Sequence, residues 1–77
     1  MKFYLTKTKV ETVSGKYIGI ITAFGATGIT NESKYYIVSL FINGEYRKVE
    51  LKEYEFKVIG EPQTMQIDFK NEAQNSK

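Results

Sequence analysis

Tyrosines stand beside lysine or arginine in three short segments of the chain, and these residue types offer its clearest chemistry. Aromatic faces can stack on nucleic-acid bases while neighbouring cations contact the phosphates, a combination that proteins use to bind single strands. The candidate nucleic-acid-binding residues are Lys16, Tyr17, Lys34, Tyr35, Tyr46, Arg47 and Lys48. The competing interpretation is that these tyrosines are half-buried packing residues of strands and that the charges keep the surface solvated.

Catalysis has few candidate residues in this chain. It contains no histidine and no cysteine, so general acid–base chemistry would fall to carboxylates, lysine or tyrosine. Glu50, Glu53 and Glu55 could form a paired-carboxylate site, but they alternate with apolar residues as solvated strand positions do. The only aspartate is Asp68, beside a polar carboxyl-terminal tail. We expect no enzymatic activity, no cofactor and no metal site, because zinc in particular favours cysteine and histidine ligands.

Length and charge set further bounds. The 77 residues suffice for one small domain, which we place at 1–69, and the tail 70–77, polar except for one alanine, is expected to be disordered. The net charge of +2 neither requires nor excludes nucleic acid as a partner. The apolar runs are too short to span a bilayer, and the amino terminus is unlike a signal peptide. We therefore expect a cytoplasmic protein without membrane contact.

The strongest structural signal lies at Asn43-Gly44, between an apolar run and the segment Glu45–Leu51. Asn-Gly tolerates the positive φ angles that a type I′ turn needs at both central residues, and the twist of that turn matches two antiparallel strands. Val49 and Leu51 lie two positions apart, which favours a strand over the helix that the Glu and Lys content would suggest. The pattern predicts a β-hairpin from Tyr35 to Leu51.

Two strands are predicted before this hairpin. Met1–Val10 alternates threonines and aromatics and is typical of a strand at a sheet edge, with Lys7 and Lys9 as solvated protection. Tyr17–Phe24 is rich in isoleucine and predicts a second strand. Gly19 inside it indicates a bulge or a sharp bend.

The segments on either side of the hairpin are predicted as a loop and a strand. Gly25–Lys34 contains two glycines and several small polar residues, which are typical of an irregular surface loop. Lys52–Ile59 alternates after the hairpin, so we expect a strand with Tyr54, Phe56 and Val58 directed inward.

An ordered series of apolar strands and turns thus covers Val10 to Gly60. Its parts are Gly19-Ile20-Ile21, Tyr36-Ile37-Val38, Asn43-Gly44, Val49-Glu50-Leu51 and Phe56-Lys57-Val58-Ile59. The series resembles the SH3-like barrels, including KOW-type modules, which have a short turn before a closing strand. The resemblance implies an all-β, antiparallel barrel of five strands, or six with the segment that follows.

An OB-fold, also a five-stranded barrel, is the alternative architecture. The chain has no tryptophan to supply the ligand groove of peptide-binding SH3 domains, so proline-rich peptides are not predicted as ligands. In style the chain also resembles the small proteins of phages and mobile elements of Gram-positive bacteria.

Apolar residues beyond the predicted barrel support a second functional hypothesis. Thr64–Phe69 carries Met65, Ile67 and Phe69 at alternate positions, as in a further short strand. This segment either packs back on the barrel or is buried by a partner, and the edge at Phe3–Val10 could also pair with another chain. Protein interaction or self-assembly is therefore the alternative to nucleic-acid binding.

Overall fold

The computed structural model of the protein describes residues 2–28 and 33–67. These residues form an all-β fold of two antiparallel sheets, a five-stranded sheet in the order β5-β4-β3-β2-β6 and a two-stranded sheet of β1 and β7. The strands are β1 Lys2–Tyr4, β2 Lys9–Thr12, β3 Ile18–Thr27, β4 Ser33–Ile42, β5 Glu45–Leu51, β6 Phe56–Val58 and β7 Thr64–Gln66, with a 3-10 turn at Glu53–Glu55. The predicted all-β class is confirmed, while Phe69, Asp68 and the predicted disordered tail 70–77 lie outside the described residues.

The predicted Asn43-Gly44 hairpin is confirmed. The angle φ is 51° at Asn43 and 81° at Gly44, and the flanking residues Ile42 and Glu45 pair directly. The register of β4 and β5 then continues without a bulge as far as the pair of Tyr36 and Leu51. A two-residue loop with two positive φ angles is the type I′ geometry that the Asn-Gly sequence predicts.

The core lies between the inner face of the five-stranded sheet and the β1–β7 pair. Its buried side chains are Phe3, Val10, Ile21, Tyr36, Val38, Leu40 and Phe56. Phe3 stacks on Phe24 with ring centroids 4.8 Å apart, and Tyr36 meets Phe56 edge-on at 5.3 Å. These aromatic contacts explain why a strand of only three residues, β1, stays attached to the sheet.

Gly19 does not form the predicted bulge. The β3–β4 register passes regularly through Gly19, and its irregularity lies between Ile21 and Ala23. A Cβ atom at Gly19 would collide with the main-chain oxygen of Ser39 and come within 2.8 Å of Leu40 Cδ2. Gly19 is therefore required because the two strands and the Leu40 side chain leave no room for a side chain there.

The predicted single strand Met1–Val10 is wrong, because the described part consists of β1 and β2 separated by a turn. Lys7 adopts a φ of 72° in this turn, and its N–H donates to the carbonyl oxygen of Ile21 at 2.7 Å. The Leu5 N–H donates to Gln63 at 2.9 Å. The two halves thus join different sheets, with β1 paired to β7 and β2 lying between β3 and β6.

The predicted strand Lys52–Ile59 is right only in its second half. Residues Glu53–Glu55 form the 3-10 turn, and Tyr54 is 80% exposed rather than directed inward. Phe56 is buried at the start of β6, as predicted. The predicted loop Gly25–Lys34 is also shorter than expected, because β3 continues to Thr27 and β4 begins at Ser33.

The five-stranded sheet is open in the described part of the chain. β5 and β6 are the ends of the strand order and each pairs with a single neighbour there. Among the described residues, no helix has the length and apolar character needed to cross a membrane.

Candidate functional site

Four large apolar side chains are exposed on the outer face of the five-stranded sheet. They are Ile18 (58% exposed), Ile20 (37%), Phe41 (48%) and Tyr46 (69%), and we call them the outer patch. Alternation along β3 explains the two isoleucines, since Gly19 and Ile21 are buried positions and the residues that alternate with them face away from the core. Adjoining exposed apolar side chains can mark a binding surface, so the outer patch is the main candidate site.

The aromatic pair of the outer patch is held by the hairpin. Phe41 and Tyr46 are direct partners across β4 and β5, next to the Asn43-Gly44 turn. Their ring centroids are 5.0 Å apart with an interplanar angle of 61°, an edge-to-face contact. With the two isoleucines and Lys9 they line an open depression of about 340 Å³. Tyr46 is the most exposed residue of the patch, so its ring can be reached by a flat ligand.

Two lysines lie beside the outer patch on the same face of the sheet. Lys9 of β2 pairs with Ile20, Ile20 pairs with Ser39, and Ser39 pairs with Lys48 of β5. These four residues form one row across four strands, so the main chains of the two lysines lie about 14 Å apart. Both lysines thus project from the face that carries the outer patch, in the row of Ile20.

Acidic residues also lie on the outer face. Glu11 of β2 pairs with Ile18 and, on its other side, with Lys57 of β6. Glu50 follows Lys48 at the next outward position of β5. The charge of this face is consequently mixed: Lys9 and Lys48 lie in the row of Ile20, and Glu11 and Lys57 lie in the row of Ile18.

Two of the seven predicted nucleic-acid-binding residues, Tyr46 and Lys48, lie at the outer patch. Tyr35 is on the same face but six residues from Phe41 along β4, a separation of about 20 Å. Its ring covers Gly25 on the neighbouring strand, where a Cβ atom would lie 2.7 Å from Tyr35 Cζ. The structure therefore separates Tyr35 from Tyr46, which the sequence grouped together.

Lys34 is engaged in a hydrogen-bonded network on the other side of the sheet. Its Nζ donates to Glu53 Oε1 at 2.8 Å and to the carbonyl oxygen of Lys2 at 2.7 Å. The hydroxyl of Tyr36 donates to the same Glu53 oxygen at 3.0 Å and accepts from the Tyr4 N–H at 3.1 Å. Burial, and next the nearby Glu53 carboxylate, raises the pKa of Tyr36 above its usual range, so the hydroxyl stays protonated as a donor. This network links β1 to β4 through hydrogen bonds, and it pairs the Lys34 ammonium group with the Glu53 carboxylate.

The other three predicted residues lie away from the outer patch. Arg47 alternates with Tyr46 on β5 and its Nη2 is 3.4 Å from Glu45, in an exposed ion pair of little energetic value. Tyr17 packs against the core, and Lys16 Nζ lies 5.5 Å from the centre of its ring. The structure thus does not bring the sequence-predicted set together on one surface.

The predicted interaction segment is placed only in part. Met65 lies opposite Phe3 in the β1–β7 pair and is 42% exposed, while Ile67 packs against the core. Phe69 lies outside the described residues. The described part of the segment, 64–67, thus pairs with β1 and places Ile67 against the core, while Met65 stays exposed.

Four residues of the candidate site were missed by the sequence reasoning. Ile18, Ile20 and Phe41 lie in segments where both alternating positions are apolar, so periodicity could not show which of them face solvent. Lys9 was interpreted as protection of a strand edge, whereas β2 lies inside the sheet. Assigning the face of each strand required the register of β3 against β4.

The arrangement suits noncovalent binding. Among the residues that the structure describes, no group of three or more His, Cys, Asp or Glu residues is placed to hold a metal ion. The outer patch offers aromatic and aliphatic surface with Lys9 and Lys48 on the same face. Comparison of the chain with protein-family models, with curated proteins and with solved structures finds no match.

Proposed function

We propose that the protein is a non-enzymatic, cytoplasmic binding module that holds single-stranded nucleic acid on its outer patch. The observation that carries the proposal is the exposed Phe41–Tyr46 pair on one sheet face, with Lys9 and Lys48 in the neighbouring row of that face. A sheet face with exposed aromatics and flanking cations is the arrangement that single-strand binders use.

In this proposal the aromatic rings contact bases and the lysines contact phosphates. Tyr46 offers the most accessible ring of the patch, and a base stacked on such a ring contributes about 1–3 kcal/mol by alanine substitution. Ile18 and Ile20 add apolar contact beside it. Lys9 and Lys48 neutralise about two phosphates. A plot of the logarithm of the association constant against the logarithm of the salt concentration should therefore have a slope of about −1.4.

We also propose that the fold belongs to the SH3-like class, with an OB-fold as the alternative. In support, β6 follows the 3-10 turn at Glu53–Glu55 and returns to pair with β2, the first strand of the main sheet. A short turn before a closing strand is the feature on which the resemblance rests. In the strand order β5-β4-β3-β2-β6, four strands that are consecutive in the chain lie side by side, and β6 is added next to β2.

Binding to oligonucleotides tests the function directly. Fluorescence anisotropy of a labelled oligothymidylate and oligouridylate should show binding at low ionic strength that weakens with salt at the slope given above. Tyr46→Ala should reduce affinity about 5- to 150-fold, as 1–3 kcal/mol of lost stacking requires. Lys48→Gln should weaken binding and make the slope shallower by about 0.7.

Tyr54→Ala is the matched control, since Tyr54 is a more exposed tyrosine outside the patch. Its affinity should equal that of the wild type. The proposal is overturned if neither oligonucleotide binds at low salt, or if Tyr46→Ala and Tyr54→Ala weaken binding equally. A patch that binds peptide instead of nucleic acid would also give the first of these outcomes.

A further inference from the structure

The outer edge of β5 is long, regular and open. β5 pairs with β4 as its single neighbour in the described part of the chain, over seven residues without proline, glycine or a bulge. The opposite end of the sheet, β6, has three residues and is soon followed by Gly60 at a φ of 85°. Short edge strands are a protection against pairing, and β5 lacks this protection.

The hairpin determines which main-chain groups of β5 face the open edge. In a two-residue hairpin the flanking residues Ile42 and Glu45 form a hydrogen-bonded pair, and such pairs alternate with non-hydrogen-bonded ones. Glu45, Arg47, Val49 and Leu51 therefore direct their N–H and C=O groups to β4. Tyr46, Lys48 and Glu50 direct theirs to the open edge, where a further antiparallel strand can bond to them.

We propose that this edge pairs with the same edge of a second copy of the chain, in the antiparallel register centred on Val49. In that register Lys48 stands opposite the partner's Glu50, and Glu50 stands opposite the partner's Lys48. Both are hydrogen-bonded pairs on the outer side of the joined sheet, and opposite charges there are favourable. Val49, which packs partly against the core, meets the partner's Val49 on the inner side.

The neighbouring registers are less favourable because they oppose like charges. A two-fold axis perpendicular to the sheet keeps outer residues opposite outer residues, so the register can change only in steps of two. Centring the pair on Lys48 or on Glu50 sets that residue against its own copy, and like charges directly opposite each other are destabilising. The charge order of β5 therefore selects the Val49 register. The same symmetry brings both outer patches to one side of the joined sheet.

Sedimentation velocity of the protein without nucleic acid tests the pairing independently of any ligand. The mass should rise from that of one 8.9 kDa chain toward that of two as concentration increases. Glu50→Lys creates two like-charge pairs and should raise the dissociation constant about 2- to 30-fold. The double variant Lys48→Glu/Glu50→Lys restores opposite charges at both pairs and should recover the wild-type value.

Glu45→Lys is the charge-matched control, since it alters the same strand outside the two charge pairs and should leave the dissociation constant unchanged. Hydrogen exchange gives a second readout: the amides of Tyr46, Lys48 and Glu50 should become protected as concentration rises, whereas that of Val49 is protected throughout. A protein that is monomeric at every concentration overturns the proposal. So does a dimer that Glu50→Lys leaves intact, or one that the double variant fails to restore.

Discussion

The hydroxyl of Tyr36 should make a measurable contribution to stability. Tyr36 is fully buried, and its hydroxyl accepts from the Tyr4 N–H at 3.1 Å and donates to Glu53 Oε1 at 3.0 Å. Tyr36→Phe removes both hydrogen bonds and keeps the ring in place against Phe56. The substitution therefore isolates the polar network from the packing of the core.

The expected loss follows from the two partners. The Tyr4 N–H is partly buried, and a buried donor left without a partner costs about 1–3 kcal/mol. The Glu53 carboxylate keeps Lys34 at 2.8 Å and is 39% exposed, so water can replace the lost bond and the added cost is small. We expect Tyr36→Phe to lower the free energy of unfolding by about 2 kcal/mol, which for a domain of this size lowers Tm by roughly 8–16 °C.

Urea denaturation followed by circular dichroism measures this difference. Tyr35→Phe is the matched control, because it makes the same chemical change at the adjacent residue, which lies on the outer face outside this network. It should stay within about 0.5 kcal/mol of the wild type, as surface substitutions usually do. A loss for Tyr36→Phe that is no larger than the loss for Tyr35→Phe would refute the role of the network.

Three further predictions concern Tyr36 and two glycines. Burial raises the pKa of Tyr36 above its ordinary value of 10.0, so above pH 10 the folded state keeps a proton that the unfolded state loses, and the free energy of unfolding should fall as the pH rises. Urea titrations should therefore show the difference in stability between wild type and Tyr36→Phe becoming smaller above pH 10. Gly19→Ala should lower the free energy of unfolding by about 1–3 kcal/mol, because the added Cβ collides with the main chain of Ser39 and with the Leu40 side chain. An unchanged urea midpoint would show that β3 and β4 can move apart without loss of stability. At Gly44 an added Cβ has no atom within 4 Å, but an alanine there must adopt a φ of 81°, so Gly44→Ala should lower the free energy of unfolding by a smaller amount, about 1–2 kcal/mol. Thermal unfolding of both variants tests this ranking, and equal losses at the two glycines would contradict it.

The hairpin was predictable because its signal is local. Asn43-Gly44 specifies positive φ angles at adjacent residues, and few other sequences satisfy that requirement. The register of β4 against β5 then follows from the loop length alone. Nothing distant in the chain was needed for this part of the fold.

The break between β1 and β2 was not predictable for the opposite reason. Lys7 has no special preference for a φ of 72°, and its conformation is held by the hydrogen bond from its N–H to Ile21 in another strand. Tyr54 misled the prediction in a similar way, since its spacing from Phe56 fits a strand although it lies in a 3-10 turn. Tertiary contacts override periodicity at both positions.

The candidate site was predictable only in its hairpin half. Tyr46 and Lys48 follow a turn whose register is known, so their shared face can be derived from the sequence. Ile18 and Ile20 depend on the pairing of β3 with β4, which is set by the close approach at Gly19. The sequence alone cannot distinguish a glycine that allows a neighbouring strand to approach closely from a glycine that forms a bulge. For this reason the exposure of Ile18 and Ile20 could not be predicted.

The hairpin register connects the core, the outer patch and the open edge. It directs Val38 inward and Phe41 outward, and it also directs the main chain of Lys48 to the edge of the sheet. A one-residue change in the loop would turn Val49 to solvent and Lys48 to the core, because strand side chains alternate with a period of two. Burying an unpaired ammonium group is costly, so the alternative register is excluded by the core itself. The burial of Val38 and Val49, which stabilises the fold, therefore also determines the positions of Tyr46 and Glu50, on which the two proposals depend.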